Sequence, residues 1–314
     1  MKQVLLGKSS LRASQLAYGC WRIAGTWNPA DVTPAFEADG RRAVMAAYDS
    51  GYTLFDHADI YCHGRAEIVF GQVLREVPAM RDRVLIASKC GIRASDTPSA
   101  GTPYRYDFSA EHILSSCDAS LKRLGVETLD LYQLHRPDYL MDPDEIASAF
   151  DRLRRDGKVR EFGVSNFRPT QLGALQRACP MPLIANQVEI SLAQLSRLDD
   201  GTLDQCLAQE ITPMAWSPLG GGHLADGAKR VLPTQEHYRS ETLLQVLDKQ
   251  AASRKTDRAC IALAWLLRHP AGILPIVGST DPVKIRAAAR ATEISLTREE
   301  WYQLLIAARG QPLP

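Results

Sequence analysis

The stretch Thr53-Leu54-Phe55-Asp56-His57-Ala58 is followed by the amphipathic segment Ala66–Glu76 and then by Val84–Gly91. A short apolar run, a longer segment apolar on one face, and a second short run read as strand, helix, strand. Working outward, the same rhythm continues. Upstream lies the run Leu16–Trp21. Downstream lie Leu129–His135, Phe162–Asn166, Ala185–Ser191, Ile211–Pro218 and Ile273–Ser279. Helical patterns separate them: Asp39–Ser50, Ala110–Leu124, Pro143–Asp156, Thr170–Ala178, Thr202–Gln209, Ser240–Ala252, Ala259–Arg268 and Pro282–Ala289. Eight β/α alternations over 314 residues predict a single α/β domain, residues 1–314, folded as a closed (β/α)8 TIM barrel. Gln3–Ser14, centred on Gly7-Lys8-Ser9-Ser10, reads as an N-terminal β-hairpin, and Thr297-Arg298-Glu299-Glu300 as a capping box opening a final helix. A doubly wound sheet would carry a glycine-rich turn after its first strand. Gly19-Cys20-Trp21-Arg22 is not G-x-G-x-x-G.

Composition narrows the function classes. Apolar residues make up 45% and charged residues 23%, as expected of a globular chain with a sizeable core. Lys+Arg is 37 and Asp+Glu 36, a balance that argues against a nucleic-acid partner while allowing a small basic pocket. The strongest apolar run, Cys260–Leu267, is far short of the ~20 residues of a membrane-spanning helix. Leu16-Ala17-Tyr18-Gly19-Cys20 resembles a lipoprotein cleavage site, but Lys8, Ser9, Ser10, Arg12 and Ser14 precede it, so no apolar signal region is expected. Seven cysteines with no C-x-x-C spacing predict reduced thiols and a cytoplasmic location.

In such a barrel the chemistry sits at the C-terminal ends of the strands. Strand two ends in Asp56-His57-Ala58-Asp59-Ile60-Tyr61, strand three in Ser88-Lys89-Cys90-Gly91, and strand four in Leu134-His135-Arg136-Pro137. A lysine at a strand end is largely desolvated and costly unless paired, and Asp56 is its natural partner. A phenol beside that ammonium is expected to have a lowered pKa and can act as general acid toward a carbonyl oxygen. His135 can orient the same oxygen. The alternative for any one of these residues is a structural ion pair or a packed ring; four complementary groups at one mouth favour catalysis.

The chain resembles the aldo-keto reductases. The matching stretches are Phe55-Asp56-His57-Ala58-Asp59-Ile60-Tyr61, Ser88-Lys89-Cys90-Gly91, His135-Arg136-Pro137, Gly163-Val164-Ser165-Asn166-Phe167, Asn186-Gln187 and Ala215-Trp216-Ser217-Pro218-Leu219-Gly220. The resemblance implies an NADPH-dependent oxidoreductase that reduces an aldehyde or ketone. It implies Tyr61 as proton donor, tuned by Lys89, Asp56 and His135. Ser165, Asn166 and Gln187 would hold the nicotinamide carboxamide, and Trp216 would stack on the ring. Ser217, Leu219 and Gly220-Gly221-Gly222 would lie along the pyrophosphate; Gly278, Ser279, Thr280 and Lys284 would face the adenosine end. The residue types suit these roles: amides and hydroxyls answer a carboxamide, an indole offers a flat apolar face, and glycines allow close backbone approach to phosphate. One departure is that Lys284 and Ala288 stand where many members carry Arg and Asn. Lys284, with Ser279 and Thr280, suits a 2′-phosphate, and Arg286 is a second candidate cation.

Two rivals remain at this point. A metal-dependent hydrolase would draw ligands from His57, His63, His135, Asp56 and Asp59, although His57 and Asp56 face opposite sides of an extended strand. A redox-sensing subunit would keep the cofactor without the chemistry. For the small-molecule carbonyl substrate, Trp21, with Trp27, is expected to form an apolar wall, and the loop Ile92–Phe108 carries Arg93, Tyr104, Arg105, Tyr106 and Phe108. Strand alternation predicts an inert Cys90 beneath the helices; Cys62, in the loop beside the site, is read first as a small apolar spectator, the usual role of a free cysteine, with a thiol activated by the nearby ammonium as the alternative. No metal site is expected, and nothing in the sequence sets an oligomeric state.

Overall fold

The alternation of apolar runs and amphipathic segments closes into a barrel in the computed structural model, which describes residues 1–227 and 241–313. The strands in chain order are β1 (Gln3–Leu5), β2 (Arg12–Ser14), β3 (Ala17–Gly19), β4 (Leu54–Asp56), β5 (Leu85–Cys90), β6 (Ile92–Arg93), β7 (Arg105–Tyr106), β8 (Leu129–Leu134), β9 (Val159–Ser165), β10 (Leu183–Glu189), β11 (Thr212–Trp216) and β12 (Leu274–Val277). Eight of these pair in parallel around the ring β3-β4-β5-β8-β9-β10-β11-β12, with β12 returning to β3. β1 and β2 form the expected antiparallel hairpin.

The hairpin has a function in the architecture. Leu6, Leu11 and Ala13 are buried against the inward-facing Ala17, Leu54, Ala87, Leu131, Ile184 and Met214. They fill the end of the barrel where the strands begin. Gly7 has φ +51°, and a Cβ there would lie 2.4 Å from the Ile184 carbonyl oxygen, so only glycine lets the turn seat this closely. The other end of the barrel, where the strands finish, is left for chemistry.

The helices begin where local capping chemistry directs. Ser109 accepts from the His112 amide to start Ala110–Leu124, which stops at left-handed Gly125. Thr297 and Glu300 form the capping box of the last helix, Arg298–Arg309. The first helix starts at Pro34 rather than Asp39, because Thr33 caps it and Pro34 occupies its first position. Ser240, the first residue of one expected helix, lies outside the described residues; the helix observed there is Glu241–Ser253. The loop Ile92–Phe108 contains the small hairpin β6–β7, which alternation over two residues cannot signal. Most of the apolar core lies between strands and helices, including the Phe150–Phe162 stack at 4.2 Å. Near the last helix, Trp265 and Trp301 stack at 5.0 Å and exchange indole N–H bonds to each other's carbonyl oxygens.

Candidate active site

The site is assembled by strand register. β4 and β5 pair with Asp56 opposite Ala87, which leaves Lys89 beyond the end of β4 and free to reach back. Its ammonium donates to both Asp56 carboxylate oxygens at 2.8 Å, to the His57 carbonyl at 2.7 Å and to the Tyr61 hydroxyl at 3.3 Å. Lys89 is fully buried and Asp56 nearly so. Burial alone would depress the ammonium, but Asp56 and Tyr61 override it and hold Lys89 above its ordinary range. Tyr61 is brought to this point by a tight turn after β4, in which Cys62 and His63 both take positive φ. The Tyr61 and His135 rings meet edge to face at 5.9 Å. His135 is buried, and burial, reinforced by Lys89 and Arg136, pushes its pKa far down, so the imidazole is neutral. All four expected residues therefore converge. The expected fall in the Tyr61 pKa is not observed: burial raises it, Lys89 offsets only part, and the phenol sits above its ordinary value. Its proton is thus retained at neutral pH and available for donation.

A second set adjoins the first. Ser165 ends β9, Gln187 lies near the end of β10 and Trp216 ends β11. The Ser165 hydroxyl donates to the Gln187 carbonyl at 2.9 Å, and Asn166 Nδ2 donates to Ser165 Oγ at 2.7 Å and to the His135 carbonyl at 3.2 Å. The Trp216 indole N–H donates to Asn166 Oδ1 at 3.0 Å. Gln187 Nε2 donates to Asp56 Oδ1 at 2.9 Å, which joins this set to the Lys89 cluster. Asn166 has φ +63° and Ser217 φ +49°, left-handed conformations that functional sites retain at a cost of about 1–3 kcal/mol each. Leu219 is half-buried, and the following Gly220, Gly221 and Gly222 all take positive φ and form one tight turn. The donor set fits a nicotinamide: a carboxamide finds hydroxyl and amide partners in Ser165, Asn166 and Gln187, a planar ring finds the half-buried Trp216, and three glycines expose backbone to a phosphate.

Gly278, Ser279 and Thr280 follow the end of β12 and are half-buried. The Tyr18 hydroxyl donates to the Ser279 carbonyl at 2.9 Å. Lys284 lies on the next helix, Pro282–Ala289, and its ammonium is 2.5 Å from Asp226, both groups being exposed. This partner lies in the segment after the glycine turn and was not anticipated. Trp21 follows β3 and packs so closely on Gly278 that a Cβ there would lie 2.7 Å from the indole nitrogen. Trp27 links Trp21, at 5.5 Å, to Tyr61, at 6.2 Å, which builds the expected aromatic wall.

Other expectations change. Arg93 is held by Asp107 at 3.1 Å, and Arg105 donates to the Thr97 carbonyl at 2.9 Å, so both loop arginines stabilise their own loop. Arg136, read in the sequence only as part of a matching stretch, instead reaches over the Trp216 ring at 5.3 Å. A cation directly after a strand-end histidine was the signal available for it. Cys90 is buried as expected. Cys62 is also fully buried, and burial raises its thiol pKa with only a partial offset from Arg65, which favours the packed spectator over the activated thiol. Iodoacetamide is expected to leave Cys62 unlabelled in the folded protein, by peptide mapping; labelling at the rate of a free thiol would overturn this. For the metal reading, both Asp56 oxygens are held by Lys89, and the His57 ring packs on Phe70 at 4.6 Å with its pKa pushed down to about 3 by burial and Lys89.

Comparison with known proteins agrees with this geometry. Residues 15–308 match the model of the aldo/keto reductase family. The chain is 39% identical to a 6-dehydroglucose reductase of Novosphingobium aromaticivorans, over 98% of this chain and 96% of that one. It is 41% identical to the oxidoreductase YdhF of Escherichia coli over the full length of both. The glycerol dehydrogenase of Gluconobacter oxydans superposes with a TM-score of 0.85 at 25% identity, covering 99% of this chain and 97% of that chain. With the eight-stranded parallel barrel and the cluster at its mouth, these matches make the chain a member of the aldo/keto reductase family, oxidoreductases that use nicotinamide cofactors and whose general reaction is carbonyl reduction.

Proposed function

We propose that this protein is an NADPH-dependent reductase of aldehydes or ketones in which Tyr61 is the proton donor. The observation that carries the reading is the hydrogen-bonded chain from Asp56 through Lys89 to Tyr61, buried at its base and opening beside a neutral His135. The cofactor, when bound, supplies a hydride to the carbonyl carbon. The substrate oxygen is held between the Tyr61 hydroxyl and the His135 ring. Tyr61 gives it a proton as negative charge develops, and the Lys89 ammonium stabilises the phenolate left behind. Asp56 keeps the ammonium charged and in place. Ser165, Asn166 and Gln187 hold the carboxamide and Trp216 the ring; Ser217, Leu219 and Gly220 lie along the pyrophosphate; Gly278, Ser279, Thr280 and Lys284 serve the adenosine end. Trp21 and Trp27 shape the apolar side of the substrate pocket. The seven unpaired, buried cysteines support a cytoplasmic location.

The test is cofactor oxidation followed at 25 °C with a panel of aldehydes, ketones and quinones, NADPH and NADH in parallel. Because two relatives are 6-dehydroglucose reductases, the panel includes a hexose 6-aldehyde. Absence of turnover with every carbonyl and both cofactors would reject the reading. The preference for NADPH rests on Lys284, whose charge Asp226 shares. Lys284→Ala is expected to weaken NADPH about tenfold and leave NADH unchanged, whereas Asp226→Asn, which frees the ammonium, is expected to tighten NADPH. Equal changes for the two cofactors, measured as dissociation constants, would remove the phosphate role.

A further inference from the structure

We infer that Arg136 is a specificity-determining residue that docks a carboxylate of the substrate, so that the preferred carbonyl compounds are anionic. The inference rests on the proposed carbonyl reduction and deepens it. Arg136 follows His135 just past the end of β8, and its charge is among those that depress the His135 imidazole proposed to hold the carbonyl oxygen. Its guanidinium lies over the Trp216 indole, 5.3 Å from the ring centroid. It is half-buried at the mouth of the barrel. A guanidinium in that position normally finds a carboxylate. Among the described residues none lies within ion-pair distance of it. Of the acids in this part of the mouth, Asp138 accepts from the Phe108 amide at 3.0 Å and the Leu140 amide at 2.9 Å, Asp107 holds Arg93 at 3.1 Å, and Glu189 stands opposite Trp216 in the β10–β11 register. The stack on Trp216 gives the guanidinium a resting surface but takes none of its N–H donors.

The charge balance of the mouth leads to the same conclusion. Among the described residues at the mouth, Lys89 is neutralised by Asp56 and His135 is neutral, whereas Arg136 over Trp216, like Arg22 over Trp21, has no carboxylate within ion-pair distance. Arg136 adds to the depression of the His135 imidazole, and it lowers the Tyr104 phenol, which burial nonetheless holds above its ordinary value. A planar fork of donors matches a carboxylate in two parallel bonds, which a neutral amide of the same shape cannot reproduce. The aromatic wall of Trp21 and Trp27 then takes the apolar body of the substrate.

The experiment compares 4-carboxybenzaldehyde with its uncharged counterpart, 4-formylbenzamide, in the wild type, Arg136→Met and Arg136→Lys. The wild type is expected to favour the acid over the amide in kcat/KM by about 30-fold, a typical gain from a paired, partly desolvated charge. Arg136→Met is expected to bring that ratio to about one, and Arg136→Lys, which keeps the charge without the fork, to an intermediate value. Calorimetric binding of 4-(hydroxymethyl)benzoate to the cofactor-free protein gives a readout without turnover: its dissociation constant should rise about 30-fold in Arg136→Met and less in Arg136→Lys. Should the Met variant not fold, Arg136→Gln replaces it. A wild type that reduces acid and amide equally well overturns the inference and leaves carbonyl reduction standing. A wild type that reduces neither, yet binds the benzoate in an Arg136-dependent way, rejects carbonyl reduction of these compounds and leaves the anion site standing. Equal benzoate affinity in the wild type and Arg136→Met overturns the anion site.

Discussion

Tyr61→Phe is expected to lower kcat for carbonyl reduction by at least about 10²-fold, the usual contribution of a positioned general acid. The substitution removes one oxygen and keeps the ring, so the edge-to-face contacts with Trp27 and His135 persist. Nothing in the set proposed to hold the cofactor bonds to that oxygen, so cofactor affinity measured by fluorescence should change little. The pH dependence carries a second signature. A proton donor works below its pKa, and burial holds the Tyr61 phenol above its ordinary value despite Lys89. Any loss of wild-type turnover from Tyr61 ionisation should therefore set in at more alkaline pH than the ionisation of a free phenol. Near-normal kcat in Tyr61→Phe would falsify the assignment of the proton donor.

Lys89→Met is expected to damage stability as well as turnover. The ammonium is fully buried and is the main partner of a carboxylate that is itself only 2% exposed. Removing it leaves the Asp56 carboxylate with the Gln187 amide as its remaining side-chain partner. Breaking a buried pair from one side typically costs about 3–5 kcal/mol, because the surviving charge is stranded in a poor dielectric. The Gln187 bond places the expected loss near the lower end, about 3 kcal/mol. The double variant Lys89→Met/Asp56→Asn removes both charges and should regain much of that stability while remaining inactive. Urea unfolding midpoints at pH 7 separate the cases. If the single and double variants are equally destabilised, the cost arises from packing around the Lys89 stem rather than from the unpaired charge.

Much of the site was legible because barrel strands bring their last residues together whatever the sequence distance between them. Once eight strand runs were recognised, Asp56, Lys89, His135, Ser165, Gln187 and Trp216 had to share one mouth, and the structure places them there. Side-chain period two likewise determined that Cys90 faces the helices while Lys89 faces inward. Helix starts were read well where the cap is a local motif, as at Ser109 and Thr297, and less well at Thr33, where proline opens the helix ahead of any apolar periodicity.

What the tertiary structure decided were the balances between competing terms. Residue types show that an ammonium lowers a neighbouring phenol's pKa; only the packing around Tyr61 shows that burial outweighs it. Position beside Tyr61 left both a packed and an activated thiol open at Cys62, and only the turn with two left-handed residues shows that it is buried. Lys284 was readable as a cation near the adenosine end, but its sharing with Asp226 depends on two segments 58 residues apart meeting in space. In the linear sequence Arg136 differs from Arg93 and Arg105 only in following a strand-end histidine, which does not say what its guanidinium meets. Two of these guanidiniums find acceptors within their own loop, and the third extends over an indole contributed by a strand across the barrel. Strand-end position follows from local patterning, whereas desolvation and the choice of partner depend on contacts between segments far apart in the chain, which exist only once the barrel has closed.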